Sequence, residues 1–211
     1  MRIRPETLRL YAVTDRAWAE DEAALFRQIE AAVRGGAGMV QLREKRLDHD
    51  AFLEEARRFT ALCRRLGAVS IINDQVEIAL EAGADGVHVG QSDLEAGRAR
   101  ELLGPGKIIG VSAHSPEEAR RARAAGADYL GCGAAFATGT KSDARPIPRE
   151  TIQAVTAAAD IPVVAIGGVN RGNILELKGL GLAGVAVVSG IFGQRNPEEA
   201  ARELRALAEQ L

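Results

Sequence analysis

Four short stretches of the chain repeat one pattern: GGAGMVQL at 35–42, AGADGVHV at 82–89, AGADYLGC at 125–132 and LGLAGVAV at 180–187. In each stretch a glycine stands where a helix would end, a short turn follows, and an apolar strand begins. The stretches start 47, 43 and 55 residues apart. Each interval is long enough for two strand–helix units, and four stretches, one for every two units, give eight. The repeat therefore predicts a closed barrel of eight parallel strands rather than an open, doubly wound sheet.

The rest of the chain supports this architecture, because short apolar runs alternate with segments whose apolar residues recur every three or four positions. The predicted strands are Leu8–Val13, Met39–Leu42, Ser70–Ile72, Gly86–Val89, Ile108–Val111, Tyr129–Cys132, Val163–Ile166 and Val185–Val188. The predicted helices include Asp21–Arg34, Asp50–Leu66, Pro116–Ala125 and Pro197–Leu211. No linker interrupts the alternation, so we expect an α/β protein with a single (β/α)₈ TIM-barrel domain over residues 1–211.

Composition and charge narrow the class of protein. The 211 residues carry a net charge of −2, which indicates no general attraction to nucleic acid or to anionic membranes. Cys63 and Cys132 are far apart in the sequence and fit buried free thiols in a reducing compartment. Because we find neither a signal peptide nor an apolar run of about 20 residues, we expect a cytoplasmic enzyme acting on small molecules. The sequence leaves the oligomeric state open, a homodimer included.

Polar residues follow the second predicted strand, at the barrel end where active sites of such folds lie. The run is Gln41-Leu42-Arg43-Glu44-Lys45. If the extended conformation continues, Gln41, Arg43 and Lys45 share one face directed toward the barrel mouth. Two cations and an amide suit a polyanion such as diphosphate. A solvated cluster containing an Arg–Glu pair is the alternative interpretation.

Carboxylates follow the next two strands. Asn73 and Asp74 come after the third strand, and Asp93 comes after the fourth. Mg²⁺ is commonly bound by one or two carboxylates together with water and substrate phosphate. Alternatively, Asp74 and Asp93 are helix N-caps. Their position beside the basic run of the second strand favours the metal.

Ser112 is predicted at the tip of the fifth strand, where it can face a substrate. The next serine, Ser115, reads with Glu118 as a capping box and is therefore structural. His114 either titrates near neutrality or braces its loop. His88 lies inside an apolar strand, which favours a hydrogen-bonded core group that supports the site from behind.

The last three strand ends are rich in glycine and small residues. After the sixth strand, the segment 133–142 is typical of a loop over a site, and its Lys141 offers a cation to a departing phosphate. An ordinary loop without a catalytic cation is the alternative. Gly167-Gly168-Val169 and Ser189-Gly190 follow the seventh and eighth strands and predict a phosphate site made of backbone N–H groups.

Seven motifs in this order, spread between Gln41 and Phe192, resemble the thiamine phosphate synthase family. They are QLREK, IINDQVEIAL, GVHVGQSD, GVSAHS, the T-x-T-K of ATGTKSDA, AIGGV and VVSGIF. The resemblance implies a Mg²⁺-dependent transferase that couples an aminopyrimidine methyl diphosphate to a thiazole phosphate, carboxylated or not, with release of diphosphate. It also implies a dissociative reaction, in which diphosphate leaves before the thiazole attacks.

The resemblance assigns roles residue by residue. The aminopyrimidine diphosphate site would contain Gln41, Leu42, Arg43, Glu44, Lys45, Asn73, Ser112 and Lys141, of which Arg43, Lys45, Ser112 and Lys141 would be catalytic. The thiazole phosphate site would contain Thr138, Gly139, Thr140, Gly168, Val188 and Ser189, and Asp74 and Asp93 would bind Mg²⁺. The family's sixth loop usually reads G-P-x-F-P-T, and this chain lacks both prolines there.

Three other functions compete with this one. A thiazole tautomerase on the same barrel would use a histidine such as His114 for proton transfer. A phosphosugar isomerase or epimerase would share the phosphate loops, and a relative without catalysis would act as a ligand-binding regulator. The paired carboxylates and the diphosphate-binding face favour the synthase over the tautomerase, QLREK together with T-x-T-K favours it over the isomerase or epimerase, and the complete set of site residues favours it over a relative without catalysis.

Overall fold

The barrel predicted by the glycine repeat is present in the computed structural model, which describes residues 3–90, 96–139 and 145–211. Eight parallel strands pair in chain order, and the eighth closes on the first. The strands are β1 Leu10–Val13, β2 Met39–Leu42, β3 Val69–Asn73, β4 Gly86–Val89, β5 Ile108–Ala113, β6 Tyr129–Cys132, β7 Val163–Ile166 and β8 Gly184–Val187.

Helices follow the strands and cover the outside of the barrel, except a short first helix that precedes β1. In the described ranges they are α1 Pro5–Leu8, α2 Glu22–Arg34, α3 His49–Leu66, α4 Val76–Glu81, α5 Ala96–Leu103, α6 Pro116–Ala124, α7 Arg149–Ala158, α8 Ser189–Phe192 and α9 Pro197–Ala208, with 3-10 turns at Arg16–Trp18 and Ile174–Leu177. The described part of the chain contains no helix long and apolar enough to span a membrane.

One predicted strand begins too early. Leu8 was assigned to the first strand, whereas it ends the short helix α1, which starts at Pro5. Proline is well tolerated in the first turn of a helix, where its missing N–H is not needed. Leu8 is nevertheless completely buried and packs with the residues inside the barrel. Its apolar character is therefore explained by closure of the barrel floor and not by strand pairing.

The glycines of the sequence repeat have the conformation that the repeat requires. Gly36, Gly83, Gly126 and Gly181 have φ angles of +109°, +67°, +95° and +75°. Each lies between a helical segment and the following strand, in the left-handed region that a side chain disfavours. The structure therefore confirms that each repeat is a helix end followed by a turn into a strand.

The core has two layers, because strand residues alternate between the barrel interior and the helices. The interior layer comprises Leu8, Tyr11, Val13, Met39, Ile71, Ile108, Tyr129, Val164 and Ala186. The outer layer packs the other strand faces against the helices, as α3 does with Phe52, Ala56, Phe59 and Cys63. Cys63 and Cys132 are free and buried, and burial raises the pKa of the Cys132 thiol to about 12.

Candidate active site

A cavity of about 590 Å³ opens at the carboxyl ends of the first two strands. It is lined by Asp15, Arg16, Ala17, Trp18, Arg43, Glu44, Lys45, Arg46, Gly139 and Ser189. Four of these side chains are cationic and two are carboxylates, so the lining favours an anionic ligand. The cavity brings residues predicted for the pyrimidine diphosphate together with two predicted for the thiazole phosphate, Gly139 and Ser189.

Arg43 and Lys45 enter this cavity from the segment that follows β2. The strand ends at Leu42, whose side chain packs in the outer core layer. The backbone N–H of Arg43 donates to Thr14 Oγ1 at 2.9 Å, and Arg43 Nη1 lies 3.2 Å from Asp15 Oδ2. The Lys45 ammonium lies 2.6 Å from Asp74 Oδ2. Both cations are therefore held by carboxylates at the ends of neighbouring strands.

Glu44 organises the loop that carries these two cations. Its carboxylate accepts from Arg16 Nε and from the backbone N–H groups of Lys45 and Arg46, each at 2.6 Å. Burial alone would raise the pKa of Glu44, but these hydrogen bonds outweigh it and lower the pKa. Arg16 also pairs with Glu55, which is buried on α3. The ion pair in this motif is thus Glu44 with Arg16, rather than Glu44 with its neighbour Arg43.

Asp74 is not a helix N-cap, the alternative to metal binding that the sequence allows. Helix α4 is preceded by Gln75, and no side chain caps it. Asp74 has a left-handed φ of +63°, fixed by a hydrogen bond from its N–H to the carbonyl of His88 at 2.9 Å. Its carboxylate accepts from Asn73 Nδ2 at 2.5 Å and from Lys45. Asp93, its proposed partner for Mg²⁺, lies outside the described residues.

A chain of polar side chains crosses the barrel interior and joins two of the predicted pyrimidine-site residues. Gln41 Nε2 donates to the Tyr11 hydroxyl, which lies 2.9 Å from the Tyr129 hydroxyl. The Tyr129 hydroxyl lies 2.9 Å from His88 Nδ1, and His88 Nε2 lies 3.1 Å from Ser112 Oγ. Burial raises the pKa of both tyrosines, so both hydroxyls keep their protons. His88 is a hydrogen-bonded core group, as its apolar strand predicts.

His114 lies at the rim of the fold, and its side chain is 52% exposed. Its backbone N–H and its Nδ1 both bond Glu118 Oε2, at 2.7 and 3.1 Å. Ser115 caps α6 by accepting from the Glu118 N–H, as predicted. The Glu118 carboxylate reaches back to the N–H of His114, so His114 braces the turn that starts the helix.

The loops after β6 and β7 lie next to one another, and after β8 a Cβ at Gly190 would lie 2.8 Å from the Val169 carbonyl oxygen of the seventh loop. The N–H groups of Ala135 and Phe136 donate to the carbonyls of Ile166 and Gly167, at 2.8 and 3.0 Å. The first part of the sixth loop is therefore held against the seventh strand without either family proline. The Gly168 carbonyl accepts from Asn170 and Asn173 at 3.2 and 3.0 Å.

Of the remaining predicted site residues, some lie in the described ranges and others lie outside them. Val188 precedes α8. Ser189 is the first residue of α8 and lines the cavity. Thr138 and Gly139 follow the tethered part of the sixth loop. Thr140 and Lys141 lie outside the described residues.

Sequence reasoning missed several residues of the site. Asp15 and Arg16 follow β1, where no site residue was predicted, although polar residues after any barrel strand are candidates. Tyr11 and Tyr129 were assigned to apolar strands without a polar partner. Glu55 could have been predicted to form an ion pair. It lies on the same buried helix face as Phe52 and Phe59, and a carboxylate buried there needs a cation.

Comparisons with known proteins agree on one family. Residues 10–191 match the family model described as thiamine monophosphate synthase. The thiamine-phosphate synthase of Alkaliphilus oremlandii is 45% identical over 93% of this chain and 94% of its own length. The solved thiamine phosphate pyrophosphorylase from Pyrococcus furiosus is 37% identical, with a TM-score of 0.88 over 97% of each chain.

A longer relative matches equally well over part of its length. A rice protein named as a probable thiamine biosynthetic bifunctional enzyme is 44% identical over 97% of this chain, but the match spans only 38% of that protein. The chain thus corresponds to about two fifths of the length of this relative.

Proposed function

Because the chain belongs to the thiamine monophosphate synthase family, we propose that it forms thiamine phosphate from an aminopyrimidine methyl diphosphate and a thiazole phosphate, releasing diphosphate. One observation carries the proposal. A single cavity is lined both by Arg43 and Lys45, which suit a diphosphate, and by Gly139 and Ser189, which the family resemblance assigns to the thiazole phosphate. The two substrates can therefore meet in one site.

The chemical difficulty is departure of diphosphate from carbon. The C–O bond breaks with its electron pair, so negative charge develops on the leaving group and must be stabilised by fixed positive charge. Arg43 and Lys45 supply it, each already oriented by a carboxylate of a neighbouring strand end, Asp15 for Arg43 and Asp74 for Lys45. Lys141 is the third cation that we assign to the leaving group.

Asp74 and Asp93 are the residues that would hold Mg²⁺. The oxygen donors fit this ion, since Asp74 presents a carboxylate beside the Asn73 amide at the edge of the basic loop. When bound, the ion would neutralise charge on the diphosphate oxygens. The Lys45 ammonium pairs with Asp74 Oδ2, so the protein's own cation lies beside a carboxylate that would hold the ion.

We assign the order of events from the chemistry of the site. The aminopyrimidine can donate electrons to the carbon that loses diphosphate, so a pyrimidinylmethyl cation forms first. The thiazole nitrogen then donates its lone pair to that carbon and forms the new C–N bond. No proton has to be removed from the thiazole nitrogen, which agrees with a cavity lined by cations and carboxylates and by no histidine among its described residues. His114 is bound to Glu118 at the rim, so nothing favours a tautomerase.

The test is product formation from the two purified substrates, followed by chromatography of thiamine phosphate and diphosphate, with Mg²⁺ and with a chelator. We expect both products in equal amounts, and only with Mg²⁺. Arg43→Gln should lower kcat/KM about 10²–10³-fold, as loss of one stabilising donor does. The matched control is Arg171→Gln, since Arg171 is 77% exposed and pairs only with Glu203 among the described residues. Diphosphate release without thiamine phosphate would contradict the proposal.

A further inference from the structure

Trp18 is the one aromatic side chain among the described residues that line the cavity. It is the only tryptophan in the sequence, and it is 44% exposed. Ligand sites commonly include an aromatic side chain, because its ring offers a large contact area to a flat ligand. Trp18 is therefore a candidate ligand contact, although none of the seven sequence motifs includes it.

The backbone around Trp18 is held by three hydrogen bonds. Asp15 caps the 3-10 turn by accepting from the Ala17 N–H at 2.9 Å, and the Trp18 N–H donates to the Asp15 carbonyl at 3.2 Å. The Trp18 carbonyl accepts from Gln28 Nε2, on α2, at 2.7 Å. Because this backbone is fixed without a ligand, little conformational entropy is lost when the indole contacts one.

The loop after β1 contacts the two sides of the cavity through different residues. Arg16 pairs with Glu44 of the basic loop after β2. Trp18 instead packs against the end of α8, where a Cβ at Gly193 would lie 3.2 Å from Cη2 and 3.3 Å from Cε2 of the indole. Helix α8 begins at Ser189, which the family resemblance assigns to the thiazole phosphate. The indole therefore lies on the thiazole side of the cavity.

The thiazole becomes positively charged in the proposed reaction. Its nitrogen donates a lone pair to the pyrimidinylmethyl carbon and becomes a thiazolium, while diphosphate keeps the electron pair of the broken C–O bond. Both carboxylates of the described lining are already paired with arginines, Asp15 with Arg43 and Glu44 with Arg16. The face of an indole attracts a cation, so Trp18 is the uncharged side chain of that lining best suited to the thiazolium.

We propose that Trp18 is a binding residue for the thiazole ring, and that it binds the thiazolium of the product more tightly than the neutral thiazole of the substrate. Positive charge develops on the ring as the C–N bond forms, so the same contact stabilises the transition state more than the bound substrate. This inference rests on the proposed function for the identity of the ligand.

The first test uses the fluorescence of the single tryptophan in the wild type and needs no variant. Thiamine phosphate and inorganic phosphate are titrated separately into the protein while the indole emission is recorded. We expect thiamine phosphate to change the emission along a saturating curve, and inorganic phosphate to leave it unchanged. No response to thiamine phosphate, or the same response to inorganic phosphate, would overturn the proposal.

The second test measures by calorimetry how tightly thiamine phosphate and the thiazole phosphate bind to the wild type and to variants. Trp18→Leu should weaken the binding of thiamine phosphate about tenfold, or about 1.4 kcal/mol, and that of the thiazole phosphate by less. Trp18→Phe should lie between the two proteins, because a phenyl ring attracts cations less strongly than an indole. An equal loss for both ligands would show an apolar contact alone and would overturn the proposal.

The matched control is Leu102→Ala. Leu102 lies on α5, outside the cavity lining, and is 44% exposed, as Trp18 is. Both replacements remove apolar bulk from a half-exposed position, so they should alter the stability of the fold to a similar extent. We expect Leu102→Ala to leave both affinities unchanged.

A kinetic measurement separates ligand binding from a structural role. In Trp18→Leu, kcat/KM for the thiazole phosphate should fall about tenfold. The KM for the pyrimidine diphosphate should stay unchanged, because Arg43 and Lys45 are untouched. A similar rise in the KM of both substrates would mean that the replacement disturbs the whole loop after β1, and the proposal would be wrong.

Failure of the proposed function would look different. The wild type would form no thiamine phosphate from the two substrates, while the indole emission and the calorimetry would still show whether thiazole and thiazolium compounds bind at Trp18.

Discussion

Replacing Asp74 by asparagine tests the metal site with little disturbance of the fold. The φ of Asp74 is +63°, and asparagine adopts this conformation readily, whereas alanine would add roughly 1 kcal/mol of strain. The ion pair that is lost joins Asp74 to Lys45, whose side chain is 54% exposed, so its loss should destabilise the fold by at most about 1 kcal/mol. For a chain of this size, that predicts a fall in Tm of no more than about 4 °C.

The expected effect on activity is much larger. Altering a residue that merely supports a metal ligand typically costs 10–100-fold in affinity or activity, so loss of a ligand carboxylate should cost at least about 10²-fold in kcat/KM at limiting Mg²⁺. That factor corresponds to about 2.7 kcal/mol of transition-state stabilisation. The variant should recover part of its rate at high Mg²⁺, because the amide weakens the site without filling it.

The assay is kcat/KM as a function of Mg²⁺ concentration, with thermal unfolding of each protein measured alongside. Asp50→Asn is the control, since Asp50 is a 99% exposed carboxylate that contacts only its neighbour His49 in the described structure. Near-normal activity of Asp74→Asn at limiting Mg²⁺ would refute the metal assignment. An equal loss at every Mg²⁺ concentration would show instead that Asp74 acts by holding Lys45.

Three further predictions test other parts of the site. His114→Ala should retain thiamine phosphate formation within about tenfold, with His49→Ala as control, because a proton-transfer role would cost about 10²–10⁴-fold. A trifluoromethyl group in place of the pyrimidine methyl should slow single turnover by several orders of magnitude, and equal rates would exclude a cation formed before attack. Glu44→Gln should destabilise the protein at neutral pH. Because the folded pKa of Glu44 lies below its unfolded value of about 4.3, this difference in unfolding free energy should begin to shrink near that pH and be lost as the pH falls through the lower folded pKa, and a constant difference would contradict the lowered pKa.

The barrel could be predicted from sequence because its signals are local. The bounds of β2, β4, β6 and β7 agree with prediction, since each is a four-residue, mostly apolar run that begins just after a turn. Leu8 was assigned to the first strand because a single apolar residue near a strand looks the same in sequence in two cases: when it belongs to the strand, and when it packs into the floor of the barrel. Short elements such as α1 have too few residues to show a period.

The site could be predicted only in part, because its contacts depend on which strand ends meet. The basic loop, Asp74 and Ser112 were predicted as site residues from their positions at or after strand ends. The partners of Glu44 were not, since Arg16 and Glu55 come from different elements and approach only when the barrel closes. For the same reason the sequence does not predict that Tyr11 and Tyr129, which lie 118 positions apart, share a hydrogen bond inside the barrel.

The internal polar chain also limits how this barrel can be recombined. Gln41, Tyr11 and His88 belong to the first four strands, whereas Tyr129 and Ser112 belong to the last four. Of the four hydrogen bonds, only the one between Gln41 and Tyr11 stays within a half. A chimaera that took one half from a barrel with an apolar interior would place unmatched hydroxyl and imidazole groups in a dry core. The two halves must therefore be exchanged as a compatible pair, even though the strand–helix units on either side look interchangeable.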